Sequence, residues 1–237
     1  MGRDTAAVDQ RDEVVVVDAE YILTALGHDW LMLETYVKPY PCCRRLHSPI
    51  DAALGLREKL GDNIDAVERI TVETNGESAK LDRKDVDSVA AAQMSIPYGV
   101  AAALVFGSPG LEHFEDAARR DPRVLRLAGK IEVRESDDPL TAHHRSAARV
   151  SLHMAGVTTS AAVTEPLGNP ANPVDDTALT AKFFYLAEPV IGREAAMRLD
   201  EALWTLGEPP GSPGDRLNLL HELACPGVGG AAQAVAR

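Results

Sequence analysis

The densest chemistry in this chain lies in Lys38-Pro39-Tyr40-Pro41-Cys42-Cys43-Arg44-Arg45-Leu46-His47-Ser48-Pro49-Ile50-Asp51. A lysine and two arginines bring charge and directed donors suited to a carboxylate or another anion. His47 brings acid–base exchange near neutral pH. Lys38, held on a proline-stiffened stretch, can anchor a carboxylate or deliver a proton. Arg44 can clamp a carboxylate or pair with an acid such as Asp51. His47 can act as acid or base, or it can tie the stretch to the helix after it. Cys42 and Cys43 are adjacent, and with no second pair and no His at ligand spacing beyond His47 they do not make a zinc site. Packing of small side chains accounts for them.

A second group of candidates is Gln93, Ser95 and Tyr98 around Pro97. A phenol one residue past a helix-interrupting proline can project into a cleft and donate to a developing oxyanion, or it can be a buried aromatic with a satisfied hydroxyl. Ser95 and Gln93 can line the same pocket, with Ser95 equally suited to packing inside a helix. His143-His144 beside Asp137-Asp138 reads as a solvated turn rather than a metal cluster, and His153 as a strand residue that packs or faces solvent. No metal site is expected.

The elements that must hold these groups can be read from pattern. Lys38 to Pro41 cannot be helical and forms an extended arm. Leu31 to Val37 alternates as a strand leading into it. A helix comes next, with Ser48 as N-cap, Pro49 at its first position and Ile50, Ala53, Leu54, Leu56 and Leu60 at helical spacing. A loop meeting a helix start, ringed by cations, suits an anion. Glu68 to Thr74 alternates strictly and ends at Asn75-Gly76; Asp85 to Phe106 reads as a helix that Pro97 kinks or restarts. Leu111 to Arg119 is amphipathic, and Lys130 to Glu135 is a further strand. Arg149–Met154 and Val157–Thr164, split by Ala155-Gly156, form a hairpin. Leu167 to Pro173 is a loop by composition. Asp175 to about Leu206 is helical, with Leu179, Phe183 and Leu186 on one face and Met197, Leu199 and Leu203 on another. Met1 to Glu13 reads as loose, Val14 to Val17 as a strand or an unordered lead-in, and Asp18 to Leu26 as a short helix. After a Gly/Pro linker at Gly207 to Gly214, a last helix is expected at Asp215 to Leu223.

The 237 residues carry 24 basic and 36 acidic side chains, a formal net charge of −12. Nucleic acid and anionic membrane surfaces need a basic face, so neither is an expected partner, and an anion must be met by cations gathered locally. Three cysteines, two of them adjacent, do not make a disulfide framework. With no signal sequence and no membrane-length apolar run, a cytoplasmic α+β protein is expected.

Three motifs in order resemble the 2-methylcitrate dehydratase (MmgE/PrpD) superfamily. They are Lys-Pro-Tyr-Pro-Cys-Cys-Arg-x-x-His-x-x-Ile-Asp-Ala at Lys38 to Ala52, Ala-Gln-x-Ser-Ile-Pro-Tyr-x-Val-Ala at Ala92 to Ala101, and Asn-Pro followed by Leu-x-x-Lys-Phe at Asn172 to Phe183. The resemblance runs from about Asp18 to Gly207 and implies the C-terminal, lid-containing half of a two-domain enzyme. The expected division is a lead-in with a short helix at 1–30, a small mixed α/β lid at 31–173, helices at 174–224 that belong to a helical domain, and a tail at 225–237. The family handles small di- and tricarboxylates by dehydration, isomerisation, epimerisation or decarboxylation without metal or organic cofactor. Lys38 resembles its substrate-facing lysine and Tyr98 its active-site tyrosine. The expectation is therefore a lyase or isomerase component with Lys38, Tyr98 and His47 as catalytic residues. Lys38, Arg44, Cys43, Ser95 and Gln93 would bind substrate. Lys182 and Asn172, which also match, are expected to be structural. Much of the family's catalytic set lies in an N-terminal helical half not found here, which implies a companion protein and allows a dimer of such pairs. The alternative is a non-catalytic binding or regulatory partner of a full-length relative.

Overall fold

A computed structural model describes residues 5–10, 13–18, 26–28, 30–61, 64–138, 141, 146–205, 220, 221 and 224. The expected helices at Asp18 to Leu26 and Asp215 to Leu223 fall largely outside these residues, as do the linker after Gly207, the tail, His143 and His144. Two antiparallel strands come first, β1 (Thr5–Gln10) and β2 (Glu13–Asp18). The valine run is thus a strand, and part of the stretch expected to be loose is its partner.

The body is a four-stranded sheet with helices on one face. Its elements are α1 (His47–Leu60), β3 (Val67–Thr74), α2 (Val89–Gln93), α3 (Ile96–Phe106), α4 (Pro122–Gly129), β4 (Ile131–Glu135), β5 (Ala148–Met154) and β6 (Val157–Val163). The strand order is β4-β3-β5-β6, with β3 parallel to β4 and antiparallel to β5. Period-2 alternation decides the two faces. In register, Ile131, Ile70 and Leu152 form one apolar row and Val133, Val72, Val150 and Ala161 the next. These rows pack under α1 and α3, whose Leu46-to-Leu60 and Ile96-to-Val105 stretches supply most of the remaining buried core. The opposite face is polar and internally bonded. His153 joins Thr71 at 3.2 Å and Thr158 at 3.0 Å, Ser151 meets Ser160 at 2.8 Å, and Arg134 donates to Glu73 at 3.1 Å. A sheet covered on one side and wet on the other explains both the clean alternation and the α+β class.

Two more helices complete the described chain. These are α5 (Asp176–Ile191), capped by the Asp175 carboxylate on the Ala178 N–H at 2.7 Å, and α6 (Arg193–Trp204), split from it at Gly192. They pack on each other, but of their side chains only Ala196 and Leu199 are buried. Leu179, Leu186, Val190, Met197, Leu203 and Trp204 remain exposed.

Two local expectations are corrected. Leu31–Glu34 is a 3₁₀ turn with exposed side chains, and only the chain beyond it is extended. Among the described residues no strand pairs with it to use its alternation. Helix α1 begins one residue before Ser48, after Leu46, and the Ser48 hydroxyl donates to the Ser146 carbonyl instead of capping. Pro49 therefore sits within the first turn, where its missing N–H has no helical partner to lose. Of the two outcomes expected at Pro97, a kink or a restart, the structure has the restart: Pro97 is the second residue of a helix capped by Ser95.

Candidate active site

The arm 38–43 is fixed from both sides. Val37 donates to the Gly168 carbonyl at 3.0 Å, Cys43 donates to the Gln93 carbonyl at 2.9 Å, and the Gln93 side-chain amide donates to the Pro41 carbonyl at 2.7 Å. Behind it, Tyr40 donates to Asp51 at 2.6 Å, and the other Asp51 oxygen accepts the Leu167 N–H at 2.7 Å. Burial raises the Asp51 carboxyl against these two bonds. Asp51 is therefore committed to the arm and to the 164–175 loop, and among the described residues it makes no ion pair with Arg44. Arg44 instead lays its guanidinium over the Tyr36 ring, 4.6 Å from the centroid.

In front of the arm opens a groove of about 850 Å³ between it, the end of α2 and one side of α5. The size suits a small ligand. Lys38, Arg44 and Lys182 line it, and among the described residues no carboxylate does. Lys182, expected to be a structural helix-surface charge, reaches across from α5 and donates from Nζ to the Lys38 carbonyl at 2.7 Å. Its position in the third sequence motif, one turn after Leu179, was the available signal. In a chain of net charge −12, three cations facing one concavity with no carboxylate among its described lining residues make a local positive well. Cys43 and Gln93 also line the groove. Cys42 is buried, and burial pushes its thiol up to about 12, which holds it protonated.

The other expected site residues lie elsewhere. Tyr98 is 1% exposed. Its ring packs against Phe114, and its hydroxyl donates to the His113 carbonyl at 2.5 Å. Burial pushes that phenol up to about 12. The N-cap at Ser95 sets the helix phase so that Tyr98 points into the core, and the expectation that it projects into a cleft is corrected. Ser95 is fully buried as that cap, accepting from the Tyr98 N–H at 3.1 Å while its hydroxyl donates to the Arg83 carbonyl. It does not line the groove.

His47 is also fully buried, its Nδ1 2.7 Å from the Tyr36 hydroxyl and its ring against Tyr40. Its position answers to the alternative reading, a tie between arm and helix. Burial lowers it to about 4, assisted by the positive Lys38, Arg44 and Lys182 and opposed by the Cys42 backbone. In the unfolded chain the same ring titrates near pH 6.5. Between these values the unfolded state binds more protons, so stability rises with pH through this window and is lost as pH falls through it. The loss attributable to His47 is about 3 kcal/mol on going from pH 7 to pH 4. Asp51, raised by burial, acts in the opposite sense at the acid end. Urea titrations at both pH values should show this loss in the native chain and a much smaller one in His47→Asn, which can keep a donor near Tyr36.

Among the described residues no group of three or more His, Cys, Asp and Glu is placed to hold a metal ion, and no helix is long and apolar enough to cross a membrane. The family described as the MmgE/PrpD C-terminal domain matches residues 40–207, which takes in the arm from Tyr40 onward, the four-stranded sheet and both helices α5 and α6. No curated protein matches the chain.

Proposed function

The chain belongs to the MmgE/PrpD family through its C-terminal domain, a family of typically enzymatic, dehydratase-type proteins, and from that premise we propose that it is the anion-gripping half of a lyase or isomerase acting on a small di- or tricarboxylate. The observation that carries this reading is the groove lined by Lys38, Arg44 and Lys182 with no carboxylate among its described lining residues. Arg44 and Lys182 hold carboxylate groups. Lys38, exposed at the groove, neutralises the enediolate that forms when a proton leaves the carbon next to a carboxylate, or returns a proton to it. Loss of the β-hydroxyl as water, or reprotonation on the other face, completes the reaction.

The base is the part this groove does not supply. His47 and Tyr98 are buried and bonded inward, and among the described residues the titratable groups of the lining are cations, two cysteines and two tyrosines. We therefore assign the proton-abstracting base to a companion helical domain that packs on the exposed apolar residues of α5 and α6. Leu186 and Lys182 lie on the same helix, so the face that receives the companion borders the groove. Co-expression with a candidate helical-domain protein tests this. The expected result is a stable complex that turns over a di- or tricarboxylate while the chain alone binds but does not react. Turnover by the chain alone, or a complex undisturbed by Leu186→Glu, would overturn the assignment of the base and of the interface.

A further inference from the structure

The two edges of the sheet are built differently. The outer strand β4, Ile-Glu-Val-Arg-Glu, carries charge at three of its five positions, the usual guard against edge-to-edge pairing. The strand at the other edge, β6, reads Val-Thr-Thr-Ser-Ala-Ala-Val and has neither a charge nor a proline. Its even-numbered residues Thr158, Ser160 and Ala162 are exposed, and Val157 is 63% exposed.

The hairpin fixes which backbone groups of β6 are free. Ala155 and Gly156 both have positive φ, 48° and 76°, the two-residue turn in which the flanking pair, here Met154 and Val157, exchanges both hydrogen bonds. Val157, Thr159, Ala161 and Val163 therefore turn their N–H and C=O groups towards β5. Thr158, Ser160 and Ala162 turn theirs outward, where no loop or turn among the described residues takes them up.

We propose that β6 pairs antiparallel with β6 of a second copy of this chain about a two-fold axis at Ser160, joining two four-stranded sheets into one. The occupant is chosen by self-complementarity. With Ser160 opposite Ser160, Thr158 falls opposite Ala162 and the reverse, so each outward N–H and C=O finds a partner. Centring on Thr158 or Ala162 would leave outward groups unused. In the same register Val157 lies opposite Val163 on the helix-covered side, which covers an otherwise exposed valine. The symmetry is closed, and the charged β4 edge stops further addition, so assembly ends at two copies. The contact uses no residue of α5 or α6.

Sedimentation velocity of the full chain over a range of concentrations tests the pairing. A concentration-dependent doubling of mass is expected. Ser160→Pro and Ala162→Pro remove an outward donor without touching a backbone bond to β5, Ser160→Pro giving up only the side-chain bond to Ser151, and each should give a monomer with an unchanged far-ultraviolet circular dichroism spectrum. A chain that stays monomeric throughout, or a dimer that survives both proline substitutions, overturns the proposal; a dimer lost only in Leu186→Glu overturns it by placing the contact on α5. Should the proline variants fail to fold, hydrogen exchange on the native chain decides. The amides of Thr158, Ser160 and Ala162 should slow markedly on concentrating the protein, and rates independent of concentration would refute the pairing.

Discussion

Lys38→Ala lowers the affinity of the full chain for citrate by about ten- to a hundredfold, the loss of one charge-assisted contact of about 1.5–3 kcal/mol. The fold should not feel the change. The Lys38 side chain is exposed, and the arm is held through the Lys38 carbonyl, which accepts from Lys182, and through the bonds at Val37, Pro41 and Cys43. Isothermal titration calorimetry with citrate at low salt gives the affinity, and a urea titration gives the stability. Lys38→Arg, which keeps charge on a different geometry, should recover part of the affinity. Equal affinity for native chain and Lys38→Ala would remove this lysine from the site, and with it the carboxylate grip proposed for the groove.

Gly168→Ala should be the most damaging single-methyl change in the described residues, costing about 4 kcal/mol. Two effects combine. Gly168 has a φ of +90°, where a side chain is strained, and an added Cβ would overlap the Val37 carbonyl oxygen, which is backbone and cannot swing away. Relief requires the chain to part there, and the bond between the Val37 N–H and the Gly168 carbonyl goes with it. Citrate affinity should therefore fall together with stability, because that bond positions the arm. Gly156→Ala is the control. Its φ is +76°, but nothing lies within 4 Å of an added Cβ, so only the local strain of about 1–2 kcal/mol remains. Similar unfolding midpoints for the two variants would show that the close approach of the arm to the 164–175 loop carries no weight.

Strand patterns in this chain were readable because the sheet has one dry face and one wet one. The alternation over Glu68 to Thr74 and the Ala155-Gly156 hairpin translate directly into β3, β5 and β6. Leu31 to Val37 alternates just as well and is no strand, since alternation reports a fit to a sheet and no described sheet edge receives it. Lys38 and Arg44 could be placed at a groove because prolines and clustered charge leave few other structures. Tyr98 could not be placed, because the direction of a residue just after a helix start depends on the helix phase. That phase is set by the Ser95 cap, which adds the bond to the Tyr98 N–H. The tie that Lys182 makes could not be read for a different reason. Its partner is a backbone carbonyl 144 positions earlier, and no local pattern encodes so distant a contact.

The three cations of the groove do not ride on one rigid piece. Lys38 belongs to the arm and Arg44 to the 3₁₀ turn that follows it, whereas Lys182 belongs to α5, which meets the body largely through polar ties: Lys182 to the Lys38 carbonyl, and Tyr185 to the Leu111 N–H and the Glu112 carboxylate. Whatever immobilises α5 against the arm must tighten the hold on a polyanion. Thermodynamic reciprocity then obliges the polyanion to strengthen, by the same factor, the attachment of whatever does the immobilising.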